Sequence, residues 1–188
     1  MNAPHAQPAE TAGDVMTIRP IETDYAGHRF RSRLEARWAV FFNSLGVEWQ
    51  YEVEGFEFDT ERYLPDFYLP NSNAYVEVKG GDVALAEDLP RLRRFSRHVK
   101  PAIVAVLGDI PPEGVKDACW VHTGAWHGHL GLCLPVGHTS GSYSFAFMPA
   151  GNPTTTKPFA LQGLTSWPEV KEAYRAARRA RFEFGEHG

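Results

Sequence analysis

The chain has 188 residues, 43% of them hydrophobic and 13% aromatic, which suits one sizeable core and leaves no room for a second full domain. A formal net charge of −4 excludes a protein that coats nucleic acid by charge alone, since that takes a strong basic excess. Only two cysteines occur, Cys119 and Cys133, so no disulfide framework holds the fold and a reducing compartment is permitted.

Residues 1–24 begin "MNAPHAQPAETAGD", without a basic start or apolar stretch of the secretory kind, and are expected to form a flexible tail. No apolar run anywhere approaches the roughly 18 residues of a membrane span, so a cytoplasmic protein with no membrane partner is expected. In "HRFRSRLEARWAVFFNSLG" (28–46) Phe30, Leu34, Trp38, Phe41, Phe42 and Leu45 fall on one helical stripe, with Gly46 as a stop. "VEWQYEVEGFEF", "RYLPDFYL" and "AYVEVKG" read as strands, and "LAEDLPRLRRFSRHV" (85–99) as a helix. "PAIVAVLGD" is an almost wholly apolar strand of the kind buried on both faces. The order helix, three strands, helix, strand implies an α/β core with a mixed sheet. Beyond it "ACWVHTG", "HLGLCLP" and "GSYSFAFMPA" read as short strands, and "TSWPEVKEAYRAARRARFEF" as a closing helix capped by Ser166 ahead of Trp167 and Pro168.

The stretch "YLPDFYLPNSNAYVEVKG" (63–80) carries the chemistry. If "PNSN" is a four-residue loop, Leu69 pairs with Ala74, and counting back sets Asp66 opposite Glu77 on one face with Lys79 beside them. Phe67, Leu69, Val76 and Val78 then form an apolar back. Like charges opposite one another on a hairpin are destabilising, so something must neutralise them. Lys79 paired with both carboxylates on a solvated face is one account. A divalent cation is the other, since hard oxygen ligands at this separation suit Mg²⁺.

A helical Glu35, "PD" at 65–66 and "EVK" at 77–79, spread over helix, strand and strand, resemble the PD-(D/E)XK nuclease superfamily. "FRSRLEARWA", "YLPDF" and "VEVKG" together are similar to small nucleases of actinobacteria and their phages. The resemblance implies a restriction-endonuclease-like core (α-β-β-β-α-β, mixed central sheet flanked by helices) over residues 25–110. Residues 111–188 would be a C-terminal β-rich extension and closing helix packed on it. It implies a Mg²⁺-dependent deoxyribonuclease, with Mn²⁺ able to substitute, acting in DNA recombination, repair, phage DNA processing or restriction. Asp66 and Glu77 would ligate the metal with the backbone carbonyl of Val78, and Glu35 is a further candidate ligand. Lys79 would position the attacking water or stabilise charge on the phosphate. Glu35, Asp66, Glu77 and Lys79 are thus the candidate catalytic set, although Glu35 could instead pair with Arg31 one helical turn back. A DNA-binding or assembly subunit that keeps the fold without cutting is the alternative, RNA cleavage a weaker one. A homodimer is compatible with staggered or junction cutting.

Arg31, Arg33, Arg91, Arg93, Arg94, Arg97 and Lys100 crowd the two helices as candidate DNA contacts that would give affinity without sequence preference. Trp49, Tyr51 and Tyr63 fit packing better than stacking on bases. Cys119, His122, His129 and Cys133 have the C-x₂-H and H-x₃-C form of a zinc site. Their spacing matches no known zinc signature, and buried thiols with scattered loop histidines are the expectation.

Overall fold

The computed structural model describes residues 20–100, 102–113, 122–137, 143–149 and 168–182. In chain order the elements are β1 (Thr23–Tyr25), β2 (His28–Phe30), α1 (Arg33–Ser44), β3 (Gln50–Tyr51), β4 (Phe56–Phe58), β5 (Glu61–Tyr63), β6 (Phe67–Leu69), β7 (Ala74–Val78) and α2 (Asp82–His98). There follow β8 (Ile103–Leu107), β9 (His122–Trp126), β10 (His129–Gly137), β11 (Tyr143–Pro149) and α3 (Pro168–Arg179).

A seven-stranded sheet in the order β11-β10-β9-β8-β7-β6-β3 forms the centre. It is mixed, because β7 and β8 pair in parallel through the α2 crossover while the other neighbours are antiparallel. Side-chain alternation along β7 and β8 builds two cores from this sheet. Ala74, Val76, Val78, Ala105 and Leu107 pack with Trp38, Phe41 and Phe42 of α1 and Val170, Ala173 and Tyr174 of α3. Val104 and Val106 instead join Leu92 and Phe95 of α2. The result is a mixed α/β arrangement of helix, sheet and helix layers. Among the described residues no helix is long and apolar enough to cross a membrane.

The structure redraws several expected elements. Thr23 and Asp24, assigned to the tail by composition, open a hairpin in which Thr23 pairs with Phe30. Phe30 is therefore a strand residue, although it is fully buried in the same core as the α1 stripe. α1 starts later, at Arg33, because Ser32 caps it. The segment 47–69 holds four short strands in place of two longer ones. Glu52 and Asp59 turn the chain with φ of 45° and 53°, and β4 and β5 leave the sheet as a separate two-stranded ribbon. β9, β10 and β11 extend the central sheet, with β9 paired directly on β8. α2 begins at Asp82, three residues before the expected start, and Pro90 lies within it. Ser166 and Trp167 lie outside the described residues, as do residues 1–19.

Candidate functional site

The β6–β7 hairpin has the register that its loop length dictates: Leu69 opposite Ala74, Tyr68 opposite Tyr75, Phe67 opposite Val76. Pro70–Ser72 form one 3-10 turn, and Asn73 closes it in the left-handed region, which asparagine tolerates. One further step sets Asp66 across from Glu77. The ladder stops there, since Pro65 has no N–H to give. The Asp66 side chain continues it, Oδ2 accepting the Val78 N–H at 2.7 Å.

This is no solvated face. Asp66 is 3% exposed and Glu77 5%, so two carboxylates share a low-dielectric space, where the Glu77 charge disfavours ionisation of Asp66. Burial first, then the Glu77 charge and that of Glu35, push the Asp66 carboxyl up to about 7, against the Val78 N–H and Arg31, which favour its anion. Neutralisation is divided among several residues. Arg31 Nη2 reaches Asp66 Oδ1 at 2.5 Å and its Nε reaches Glu52 at 2.8 Å. Lys79 Nζ lies 2.8 Å from Glu77 Oε1 and 3.0 Å from Asp88 Oδ2. Lys79 thus pairs with Glu77 and Asp88, whereas the simple salt-bridge account had it serve Asp66 as well. Burial works to lower its pKa, but Glu77 and Asp88 outweigh that and hold the ammonium above its ordinary range. Tyr63 donates to Glu77 Oε2 at 2.6 Å, and Arg91 lies over the Tyr63 ring at 4.7 Å.

Glu35 stands at the wall of the same space, 6% exposed. Ser32 caps α1, and the glutamate of the S-x-x-E pattern reaches back to the Ser32 hydroxyl and to the backbone N–H of Arg31, one residue before the cap. Ser32 Oγ accepts the Glu35 N–H at 3.2 Å and donates to Glu35 Oε1 at 2.7 Å. Glu35 Oε2 accepts from the Arg31 backbone N–H at 3.1 Å and from the Tyr51 hydroxyl at 2.7 Å. The (i, i+4) contact with Arg31 therefore runs through the backbone, and the Arg31 guanidinium is left for Asp66.

These groups open onto a cleft of about 980 Å³ that Val78, Gly80 and Asp109 also line. Gly81, at φ +82°, makes the turn from β7 into α2 at its edge. Among the described residues, the cleft lining carries Arg31, Arg33, Arg37, Arg62, Lys79 and Arg91 against Glu35, Asp66, Glu77 and Asp109, an excess of basic groups. Of the expected DNA contacts, then, Arg31, Arg33 and Arg91 line the cleft. The other four do not. Arg93 Nε donates to the Gly128 carbonyl at 3.2 Å, Arg94 pairs with Glu61, the Arg97 side chain packs on Gly128, and Lys100 is exposed.

As a donor set, Asp66 and Glu77 fit a hard divalent cation. Mg²⁺ uses one or two carboxylates and completes its shell with water and phosphate, and a cation here would relieve the mutual repulsion of the pair. Tyr63, Tyr51 and Asp88 are site residues that spacing did not reveal. Only Asp88 left a signal, as a helical (i, i+3) partner of Arg91. Tyr51 and Tyr63 are packing residues whose hydroxyls serve the carboxylates, and Trp49 donates to Asn43 at 2.8 Å.

The cysteine and histidine group is dispersed. His122 and Cys133 face one another across β9 and β10, both buried, while His129 pairs with Trp126 at the other end and Cys119 lies outside the described residues. Burial drops His122 to about 4 and pushes the Cys133 thiol up to about 12. His122 Nε2 is hydrogen-bonded to the Tyr174 hydroxyl at 3.0 Å, which ties α3 to the sheet. Comparison with protein-family models, with curated proteins and with solved structures gives no match to this chain.

Proposed function

We propose that the cleft hydrolyses phosphodiester bonds of DNA with the help of a divalent metal ion. The observation that carries this reading is the convergence of Asp66, Glu77 and Lys79, two buried carboxylates and a fixed ammonium, at the floor of a basic cleft. The arrangement of α1, the β6–β7 hairpin and the α2 crossover to a parallel β8 also fits the restriction-endonuclease-like core that the sequence resembles.

Asp66 and Glu77 would hold Mg²⁺ or Mn²⁺ together with the Val78 carbonyl, Glu35 being a further candidate. Such an ion lowers the pKa of bound water and offsets phosphate charge. Lys79 orients the attacking water and neutralises charge that develops on the phosphoryl oxygens. Its position is fixed in advance by Glu77 and Asp88, so little reorganisation is needed at the moment of reaction. One P–O bond forms from water, one P–O ester bond breaks, and the departing oxygen takes up a proton. Asp66, held at about 7, must be ionised to bind metal, which favours activity above neutrality.

Incubation with linear, circular and branched DNA in Mg²⁺ or Mn²⁺ tests the reading. Cleavage that disappears in Asp66→Ala and Glu77→Ala supports it. No cleavage of any substrate, or cleavage indifferent to Asp66→Ala, would overturn it.

A further inference from the structure

The basic residues of α2 have separate uses, and one of them differs from the rest. Arg93, Arg94 and Arg97 are engaged with Gly128 and with the β4–β5 ribbon. Arg91 alone among them lines the cleft. Its guanidinium is held from two sides, by the Tyr63 ring at 4.7 Å and by Asp88 Oδ2 at 3.0 Å. Nη2 makes that contact, and its approach to Glu77 Oε1, 3.5 Å, is too long for a hydrogen bond. Arg91 Nε is buried without a hydrogen-bond partner. A guanidinium carries five N–H donors in a rigid fork matched to phosphate oxygens, so Arg91 is preorganised with donor capacity to spare. Asp88 Oδ2 holds Lys79 as well, at 3.0 Å, which places the two cations side by side on one carboxylate oxygen.

We propose that Lys79 and Arg91, joined through Asp88, form the phosphodiester-binding pair of the cleft. Arg91 grips the substrate phosphate, and Asp88 is the positioning residue for both cations. This rests on the phosphodiester reading above and adds to it the residue that binds the phosphate and the one that aims it.

Binding of a fluorescent 20-base-pair duplex in EDTA, followed by anisotropy at several salt concentrations, tests the pair without any cleavage. Arg91→Gln is expected to weaken binding about five- to twentyfold and to lower the salt slope by about one, with Arg91→Lys recovering only part. Arg179→Gln, which removes the same charge from exposed α3 surface, should move neither by more than about twofold. Asp88→Asn separates positioning from charge. Loss of a carboxylate beside a basic cleft would by itself tighten DNA binding, whereas loss of the positioning contact weakens it, and Asp88→Glu should restore most of the affinity. Wild type that fails to bind, Arg91→Gln that binds like wild type or like Arg179→Gln, or Asp88→Asn that binds more tightly would each overturn the inference. Duplex bound with the expected dependences yet never cut in Mg²⁺ or Mn²⁺ upholds the phosphate contact and removes the hydrolytic reading. Normal cutting with an unchanged KM in Arg91→Gln does the reverse.

Discussion

The Tyr63 hydroxyl donates to Glu77 Oε2 at 2.6 Å in a buried position at the cleft wall, and the ring that bears that hydroxyl carries the Arg91 guanidinium. One tyrosine therefore serves a carboxylate with its edge and a cation with its face. Tyr63→Phe keeps the face and removes the donor. A buried charged acceptor deprived of its partner costs about 1–3 kcal/mol, so the midpoint of urea unfolding should fall with an unchanged m-value. Duplex affinity should change little, because Arg91 keeps its platform. Loss of affinity equal to that of Arg91→Gln would show that the hydroxyl, and not the ring, organises the cation.

On the proposed function, Asp66 sets function against stability. The Asp66 carboxyl is raised to about 7 from an ordinary 3.8, so the folded state binds its proton more tightly than the unfolded chain. Its contribution to stability is full below about pH 4 and is lost as the pH rises through about 7. Asp66→Asn should remove this decline and make the metal-free protein more stable than wild type at pH 8, while DNA cleavage disappears. Thermal melts of both proteins in EDTA from pH 5 to 8 measure it. Parallel melting curves would show that Arg31 already neutralises Asp66 in full.

His122 works in the opposite direction. Burial lowers it from 6.5 to about 4, so its contribution is full above pH 6.5 and is lost as the pH falls towards 4. A shift of this size corresponds to on the order of 3 kcal/mol. His122→Gln should flatten the acid limb of the stability curve, whatever it costs at neutral pH through the Tyr174 contact. Urea midpoints compared at pH 7.5 and 5 isolate the slope, and an identical acid loss in both proteins would assign it to other groups.

The hairpin register was legible because its loop length and its two-residue alternation point to one pairing, Phe67 with Val76, and Asp66 with Glu77 follows from it. The apolar stripe of α1 was equally plain, but a stripe does not say where a helix begins, and Phe30 kept its place in the core from a strand. Local backbone reversals at Glu52 and Asp59 leave no hydrophobic signature, so the β4–β5 ribbon read as part of longer strands. Tyr63 and Asp88 reach the site only through that ribbon and through α2, and no spacing rule joins residues brought together by a crossover. Ser32 and Glu35 are the instructive case, since S-x-x-E is present in the sequence, where the glutamate reads as a catalytic candidate or a helical partner of Arg31 and its contact with the Ser32 hydroxyl goes unseen.

Substitution separates the hydrogen bonds that Glu35 makes at the start of α1 from its proposed part in metal binding. Glu35→Ala removes the acceptor for the Ser32 and Tyr51 hydroxyls and the Arg31 N–H, while Ser32 keeps its own capping contact with the residue-35 N–H. Donors left without a partner in a buried site cost about 1–3 kcal/mol. Glu35→Gln keeps an acceptor at the cap and discards the charge. If Glu35 only caps α1, the Gln variant should melt within about 2 °C of wild type, on the scale of a few tenths of a kcal/mol, and cleave DNA at a normal rate. If it also ligates metal, the Gln variant keeps its stability and loses cleavage, and the rates of the two variants converge.

The proposed metal binding can be tested without any substrate. A ligand that binds the folded state alone stabilises it by about 2.7 kcal/mol at a hundredfold excess over Kd. The ion would also replace the repulsion between Asp66 and Glu77 with attraction, so saturating Mg²⁺ or Mn²⁺ at pH 8 should raise the melting temperature of wild type, and EDTA should reverse it. Asp66→Asn and Glu77→Gln each leave a single carboxylate with Lys79 or Arg31 beside it, a poor cation site, and their melting temperatures should not respond. Protonation competes for the same oxygen of Asp66, so the wild-type shift should shrink as the pH is lowered from 8 to 6. A shift that persists in both variants would locate the bound cation away from the hairpin.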